Sequence, residues 1–204
     1  MGKDCCAITP EPGDDTPAYR RVLWAAFIIN LVMFLIELAA GLAAGSVSLQ
    51  ADALDFFGDA ANYIISLFVL NMALHQRAQA SLLKGAAMGL FGLWVAGATV
   101  VQTILGTLPH ATTMGVVGLA AFAANGLVLV LLWKYKSGDS NRQSVWLCTR
   151  NDVIGNLAVI LAALGVLGTG TSWPDIIVAA IMSGLALHSA WLIVHKACTE
   201  LKTS

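Results

Sequence analysis

Long apolar stretches alternate with short polar ones along this chain. Six stretches, Val22–Ala43, Ser48–Ala73, Gly85–Leu105, Met114–Trp133, Val145–Leu167 and Ile176–Val194, stand out. Each is long enough to cross roughly 30 Å of hydrocarbon as an α-helix rising 1.5 Å per residue. The connections GSVSLQ, HQRAQASLLK, GTLPHATT, KYKSGDSNRQ and GTGTSWPD are too short to hold a soluble domain. The pattern predicts an all-α, polytopic membrane protein with six transmembrane helices. A flexible tail is expected over 1–21, the six-helix membrane region over 22–195 and a short tail over 196–204.

Composition agrees. Of the 204 residues, 58% are hydrophobic and 11% charged, against about 25% charged in soluble domains. The mean hydropathy is +0.77. The net charge of −1 carries little information, but the placement of the charges does. Lys3, Arg20 and Arg21 precede the first helix, and Arg77 and Lys84 lie between the second and third. Lys134, Lys136 and Arg142 lie between the fourth and fifth, and Lys196 and Lys202 follow the sixth. Ten of the eleven basic residues therefore fall on one side, with Arg150 inside helix five. The positive-inside rule then makes both termini cytoplasmic. The N-terminus has no apolar core of a signal peptide and no myristoylation pattern. Nothing points to nucleic acid as a partner, and no nucleophile–base pair or zincin motif points to an enzyme.

The four cysteines, Cys5, Cys6, Cys148 and Cys198, form no disulfide framework. Cys5–Cys6 beside Asp4 offers at most a place for a soft cation. Gly41-x-x-x-Gly45 and Gly85-x-x-x-Gly89 are spacings that let helix backbones approach closely, the second as a candidate contact with another copy of the chain.

The polar residues inside the apolar stretches carry the chemistry. Asp55 and Asp59 are one helical turn apart on the same face of helix two, with Asp52 close to it. A buried membrane Asp costs roughly 2.5–3.5 kcal/mol on insertion scales, so three on one stripe call for something that binds them. Cys148 and Asp152 repeat the i, i+4 spacing on helix five. Two such pairs facing each other supply three carboxylates and a thiolate, a set suited to a tetrahedral divalent ion. The thiolate favours Zn²⁺ or Cd²⁺ over Mg²⁺ or Ca²⁺. An alternative register on helix five pairs Asp152 with Asn156. Plainer readings fit the rest. Asn30, Gln102 and Asn125 are expected to hydrogen-bond between helices, Asp175 to complement its own helix dipole, and His188 to be buried or interfacial. His75 and His195 are expected to be solvated, and Arg150 is left open. Glu37 either pairs with a neighbouring helix or relays protons.

On these residues the chain resembles the cation diffusion facilitators, secondary transporters that move divalent transition metals out of the cytoplasm in exchange for protons. The resemblance runs from about Val22 to Leu201. INLVMFLIELAAGLAAGSVSLQADALDFFGDAA resembles the family's first two helices, including Glu37 and Ala51-Asp52-Ala53. The family's His-or-Asp, three residues, Asp on helix two stands here as Asp55 and Asp59. Its His, three residues, Asp on helix five stands as Cys148 and Asp152, followed by Gly155. WPD at 173–175 and LALHSAWLIVHKACTEL at 185–201 fall at family-like distances beyond. Cys148 in place of His means that metal choice does not carry over. The connection before helix five is not His-rich, and the sequence stops at Ser204, where most members continue into a cytoplasmic metal-binding domain.

The resemblance implies export of Zn²⁺- or Cd²⁺-like ions by proton antiport, with Co²⁺, Ni²⁺, Fe²⁺ and Mn²⁺ also open and no resident cofactor. The expected metal ligands are Asp55, Asp59, Cys148 and Asp152, and Asp52, Glu37 and Asn156 are candidates for a supporting, proton or exit path. The expected partners are the metal ion, protons, the lipid bilayer of a bacterial inner membrane and a second copy in a homodimer. The rival readings are a divalent cation channel and a membrane metal sensor.

Overall fold

In the computed structural model, residues 16–68, 74–135 and 140–203 are described; the side chains of 74, 77, 140–148 and 203 lie outside that description. The described residues form six helices: α1 (Pro17–Ala44), α2 (Val47–Phe68), α3 (Leu74–Leu105), α4 (Ala111–Trp133), α5 (Ser140–Thr169) and α6 (Trp173–Thr203). Five of them have a stretch long and apolar enough to cross a membrane. The exception is α2, in which any stretch of that length contains Asp52, Asp55 and Asp59.

Local chemistry sets the ends of α1. The Thr16 side chain accepts a hydrogen bond from Tyr19 N, and Pro17 occupies the first turn, where its missing N–H costs nothing. The helix stops at Gly45, whose φ of 63° is the left-handed conformation that glycine adopts freely. Gly41, one turn earlier, has a different task. A Cβ there would sit 3.0 Å from Gln50 Cγ, so the glycine lets α2 fold back against α1.

Burial separates the periphery of the bundle from its centre. On α1, Tyr19, Leu23, Ala26, Asn30, Met33, Glu37, Gly41 and Ala44 form one buried stripe with three- and four-residue steps. Met114, Gly118, Ala121, Asn125, Val128 and Leu132 do the same on α4. The remaining faces expose large side chains such as Ile28, Leu35, Val116 and Val130, as expected of surfaces that meet lipid. Helix α2 differs: every residue from Val47 to Leu54 is buried. It packs against α1, α3, α5 and α6, so the helix that carries three aspartates and no basic residue is closely enclosed by protein.

The structure moves several expected boundaries. The stretch 75–84, expected as a loop, belongs to α3. Residues 17–21 of the expected N-terminal tail belong to α1, and α6 continues through Thr203 over the expected C-terminal tail. Hydropathy locates the bilayer, whereas a helix continues into water wherever its residues are good helix formers. The Gly85/Gly89 face is also corrected. A Cβ at Gly85 would lie 2.9 Å from Val194 Cγ2, one at Gly89 3.7 Å from Ala190 Cβ and one at Gly92 3.0 Å from Leu187 Cδ2. This small-residue stripe seats α6 of the same chain, so it is not open to a second copy.

Candidate metal site

Asp59 on α2 and Asp152 on α5 come together. Their carboxyls lie within hydrogen-bonding range of each other. One turn further along α2, Tyr63 Oη and Thr149 Oγ1 are 2.9 Å apart, which ties the two antiparallel helices at the neighbouring level. Asp152 Oδ2 is buried with no hydrogen-bond partner among the described residues. Asp55 is near enough to act electrostatically on both Asp152 and Glu37. The Cys148 side chain lies outside the described residues; its backbone is in α5, one turn before Asp152. Among the described residues, no three of His, Cys, Asp and Glu are gathered closely enough to hold a metal ion. What the structure places together is the pair Asp59–Asp152, with Asp55 beside it.

A second acidic pair joins α1 to α2. Glu37 and Asp52 are both buried and within hydrogen-bonding range of each other. Among the described residues, no donor group reaches either Glu37 oxygen or Asp52 Oδ2. Two carboxylates have only acceptors to offer, so the contact is a hydrogen bond when one of them carries a proton. Of the two roles open to Glu37, pairing with a neighbouring helix is therefore the one with a geometric partner. Asn156 on α5 is fully buried, and both polar atoms of its side chain lack partners among the described residues. Asn125 Oδ1 on α4 lacks one as well. Buried polar groups are normally satisfied. Here the orphaned oxygens belong mainly to α1, α2, α4 and α5.

Other candidates resolve into structure. Asp175 lies in the first turn of α6, where it was expected to complement its own helix dipole, and it also caps α2. Its Oδ1 accepts from Ser46 Oγ at 2.7 Å and Ser48 N at 3.0 Å, and its Oδ2 from Val47 N at 3.0 Å and Gln102 Nε2 at 3.1 Å. A carboxylate at a helix N-terminus meets the free N–H groups and the positive end of the dipole. Gln102 thus hydrogen-bonds between helices as expected. Asn30 does not, because its Nδ2 donates to Ala26 O in its own helix at 2.8 Å. His188 is exposed and stacks on Trp191, which stacks on His195, on the outer face of α6.

The sequence reading missed one participant. Lys84, counted there as a loop charge, is only 6% exposed. Its Nζ donates to Asn62 Oδ1, one turn from Asp59, and it acts electrostatically on Asp59.

Residues 23–201 match the cation efflux transmembrane domain family. The chain is 24% identical over 194 residues to a cadmium, cobalt and zinc/H⁺–K⁺ antiporter of Bacillus subtilis, covering 85% of this chain and 60% of the relative. It is 28% identical over 202 residues to the zinc transporter ZitB of Pectobacterium atrosepticum, covering 89% and 61%. It is also 28% identical over 197 residues to ZitB of Escherichia coli, covering 89% and 62%. The chain spans about three-fifths of the length of the curated relatives it matches. With five apolar helices and bacterial transporters as relatives, this is a multi-pass integral protein of the bacterial plasma membrane. A family match over most of its length, together with facing carboxylates between α2 and α5, establishes that the chain belongs to the cation efflux (cation diffusion facilitator) family.

Proposed function

We propose that this protein is a secondary active transporter that exports divalent transition-metal ions, Zn²⁺ or Cd²⁺ foremost, from the cytoplasm in exchange for protons. It carries out transport and no enzymatic reaction. The observation that carries this reading is the approach of Asp59 to Asp152, with an orphaned carboxylate oxygen, between the helices that bear the paired motifs. The relatives named for zinc, cadmium and cobalt transport support it. In this reading α2 crosses the membrane as the sixth span, shielded by its neighbours, and both termini are cytoplasmic. The basic residues at one end of the bundle support that topology. A homodimer belongs to the proposal through a face other than Gly85/Gly89.

The metal is held by Asp55, Asp59 and Asp152, completed by Cys148; Asn156 is the alternative fourth partner, one turn beyond Asp152. When the ion leaves, the same oxygens bind protons. Metal and protons thus compete for one set of atoms, which couples their movements in opposite directions. Rocking of the helices about this site alternates access between the two sides. Asp52 and Glu37 lie nearer the non-cytoplasmic end and serve the proton or exit path.

The test is transport by the purified full chain in proteoliposomes. Wild-type protein is expected to move Zn²⁺ or Cd²⁺ saturably, at a rate that depends on the pH gradient, with proton flux in the opposite direction. Asp55→Ala is expected to abolish metal-dependent proton flux. Transport by that variant at the normal rate sinks the assignment, and flux indifferent to the pH gradient indicates a channel.

A further inference from the structure

A lysine near the end of a membrane span ordinarily extends its ammonium into water. Lys84 does the opposite, and the packing of α3 shows why. Helices α2 and α3 run antiparallel with a repeated match: Leu54 faces Gly92, Gly58 faces Met88 and Asn62 faces Lys84. A Cβ at Gly92 would lie 3.5 Å from Leu54 Cδ2, and one at Gly58 would lie 3.1 Å from Met88 Cε. The glycines fix this register by admitting the opposite side chain, and each step of four residues along one helix answers a step of four along the other. The third step sets the Lys84 side chain over Asn62. The adjacent Gly85 is wedged against Ile193 and Val194 of α6, which holds the turn carrying Lys84 from the other side.

The ammonium is therefore buried beside the acidic site, one turn from Asp59, which in turn faces Asp152. In the topology proposed above, α2 runs from Val47 at the outer side towards Phe68 at the inner side. Asn62 and Lys84 then lie on the cytoplasmic side of Asp59, where an ion bound for export arrives.

We propose that Lys84 is a tethered cation at the cytoplasmic mouth of the site, drawn to Asp59 when no metal is bound and displaced by the incoming divalent ion. This deepens the transport reading and rests on it. A charge held on the chain competes at a fixed, high effective concentration. A monovalent ion in solution brings no more charge than the resident ammonium, whereas a divalent ion brings twice as much. Lys84 thus selects for divalent ions and weakens metal holding enough for release.

The experiment titrates Cd²⁺ calorimetrically into the full chain in nanodiscs and measures Cd²⁺ transport in proteoliposomes. Lys84→Gln is expected to bind Cd²⁺ about tenfold more tightly, the scale of removing one partly screened like charge. It is also expected to turn over more slowly and to become sensitive to competition by K⁺. Lys84→Arg, which keeps the charge, is expected to retain wild-type affinity and K⁺ insensitivity. Asn62→Ala, which loosens the tether, is expected to shift affinity in the direction of Lys84→Gln by a smaller factor. If wild type binds and transports Cd²⁺ while Lys84→Gln binds it equally or more weakly, the tethered-cation role is overturned and Lys84 is a structural contact. If wild type binds no Cd²⁺, the transport reading falls and this inference falls with it.

Discussion

Two sets of buried carboxylates occupy this bundle, and they are solved in opposite ways. Asp175 has four donors for its two oxygens: two backbone N–H groups, a hydroxyl and a side-chain amide. All are neutral, and all come from the start of α2 or from α3. Glu37 and Asp52 face each other, Asp59 faces Asp152, and oxygens of Glu37, Asp52 and Asp152 have no donor among the described residues. The first arrangement is complete as it stands and holds three helices in place. The second leaves acceptors unmet, and in the proposed function a proton or a metal ion completes it. An unmet buried acceptor is costly, and the several kept in this region are what the proposed exchange of metal for protons rests on. Burial alone does not separate the two sets; the supply of donors does.

The comparison breaks most sharply at Asp59. Asp59→Asn supplies an N–H to Asp152 and removes a charge, so the acidic pair comes to resemble the satisfied Asp175 cap. Metal binding is expected to fall by about a hundredfold or more, since even partners outside the ligand set cost roughly 10–100-fold. The melting temperature in detergent is expected to hold or rise. A variant that loses stability together with binding would mean that this pair, too, serves architecture.

The reverse substitution tests the other side. Asp175→Ala leaves two backbone donors, a serine hydroxyl and the Gln102 amide without their acceptor. The expected loss of stability is about 3 kcal/mol or more, read as a lowered melting temperature. Cd²⁺ affinity of the surviving folded fraction is expected to be unchanged. Weaker metal binding without destabilisation would place Asp175 with the functional carboxylates.

How far the two sets were legible in the sequence follows from the range of the forces involved. Runs of about twenty apolar residues reveal helices because the bilayer imposes that length. They do not reveal where α3 begins or α6 ends, since Leu74–Lys84 and Lys196–Thr203 are helical in a stretch hydropathy assigns to water. The Asp55/Asp59 spacing is visible because i and i+4 are neighbours on one helix. That Asp59 meets Asp152, or that Asp175 caps a helix starting 128 residues earlier, depends on tertiary packing. Lys84 was misplaced for a related reason. Counting basic residues by position records the side of the membrane on which they fall, but not whether the side chain turns inward. Asn30 shows the opposite limit, since its amide finds a carbonyl one turn back in its own helix.

A third test addresses the glycine stripe that seats α6 on α3. Gly85→Val drives a branched side chain into Val194 and Ile193. Overpacking of this kind costs about 1–3 kcal/mol and is measurable as a lower melting temperature. Because Gly85 also braces the turn that carries Lys84, the variant is expected to alter Cd²⁺ affinity modestly. Gly97, whose Cβ would meet nothing within 4 Å, is the control: Gly97→Ala is expected to be neutral or slightly stabilising in this helix.

The smallest expected effect is at the tie between the two acidic helices. Tyr63 and Thr149 share a hydrogen bond of 2.9 Å in buried surroundings, one turn from Asp59 and three residues before Asp152. Tyr63→Phe removes the hydroxyl and keeps the ring in the cluster with Leu23, Leu67 and Val128. The expected cost is about 1 kcal/mol. If the tie only secures packing, as the donors around Asp175 do, metal affinity and transport rate are expected to be unchanged. If the antiparallel match of α2 and α5 sets the spacing of Asp59 and Asp152, a loss of about 1 kcal/mol in stability is accompanied by a larger loss in Cd²⁺ affinity. Thr149→Val then reproduces the effect from the other helix. The double variant is no worse than either single one, because both remove the same contact.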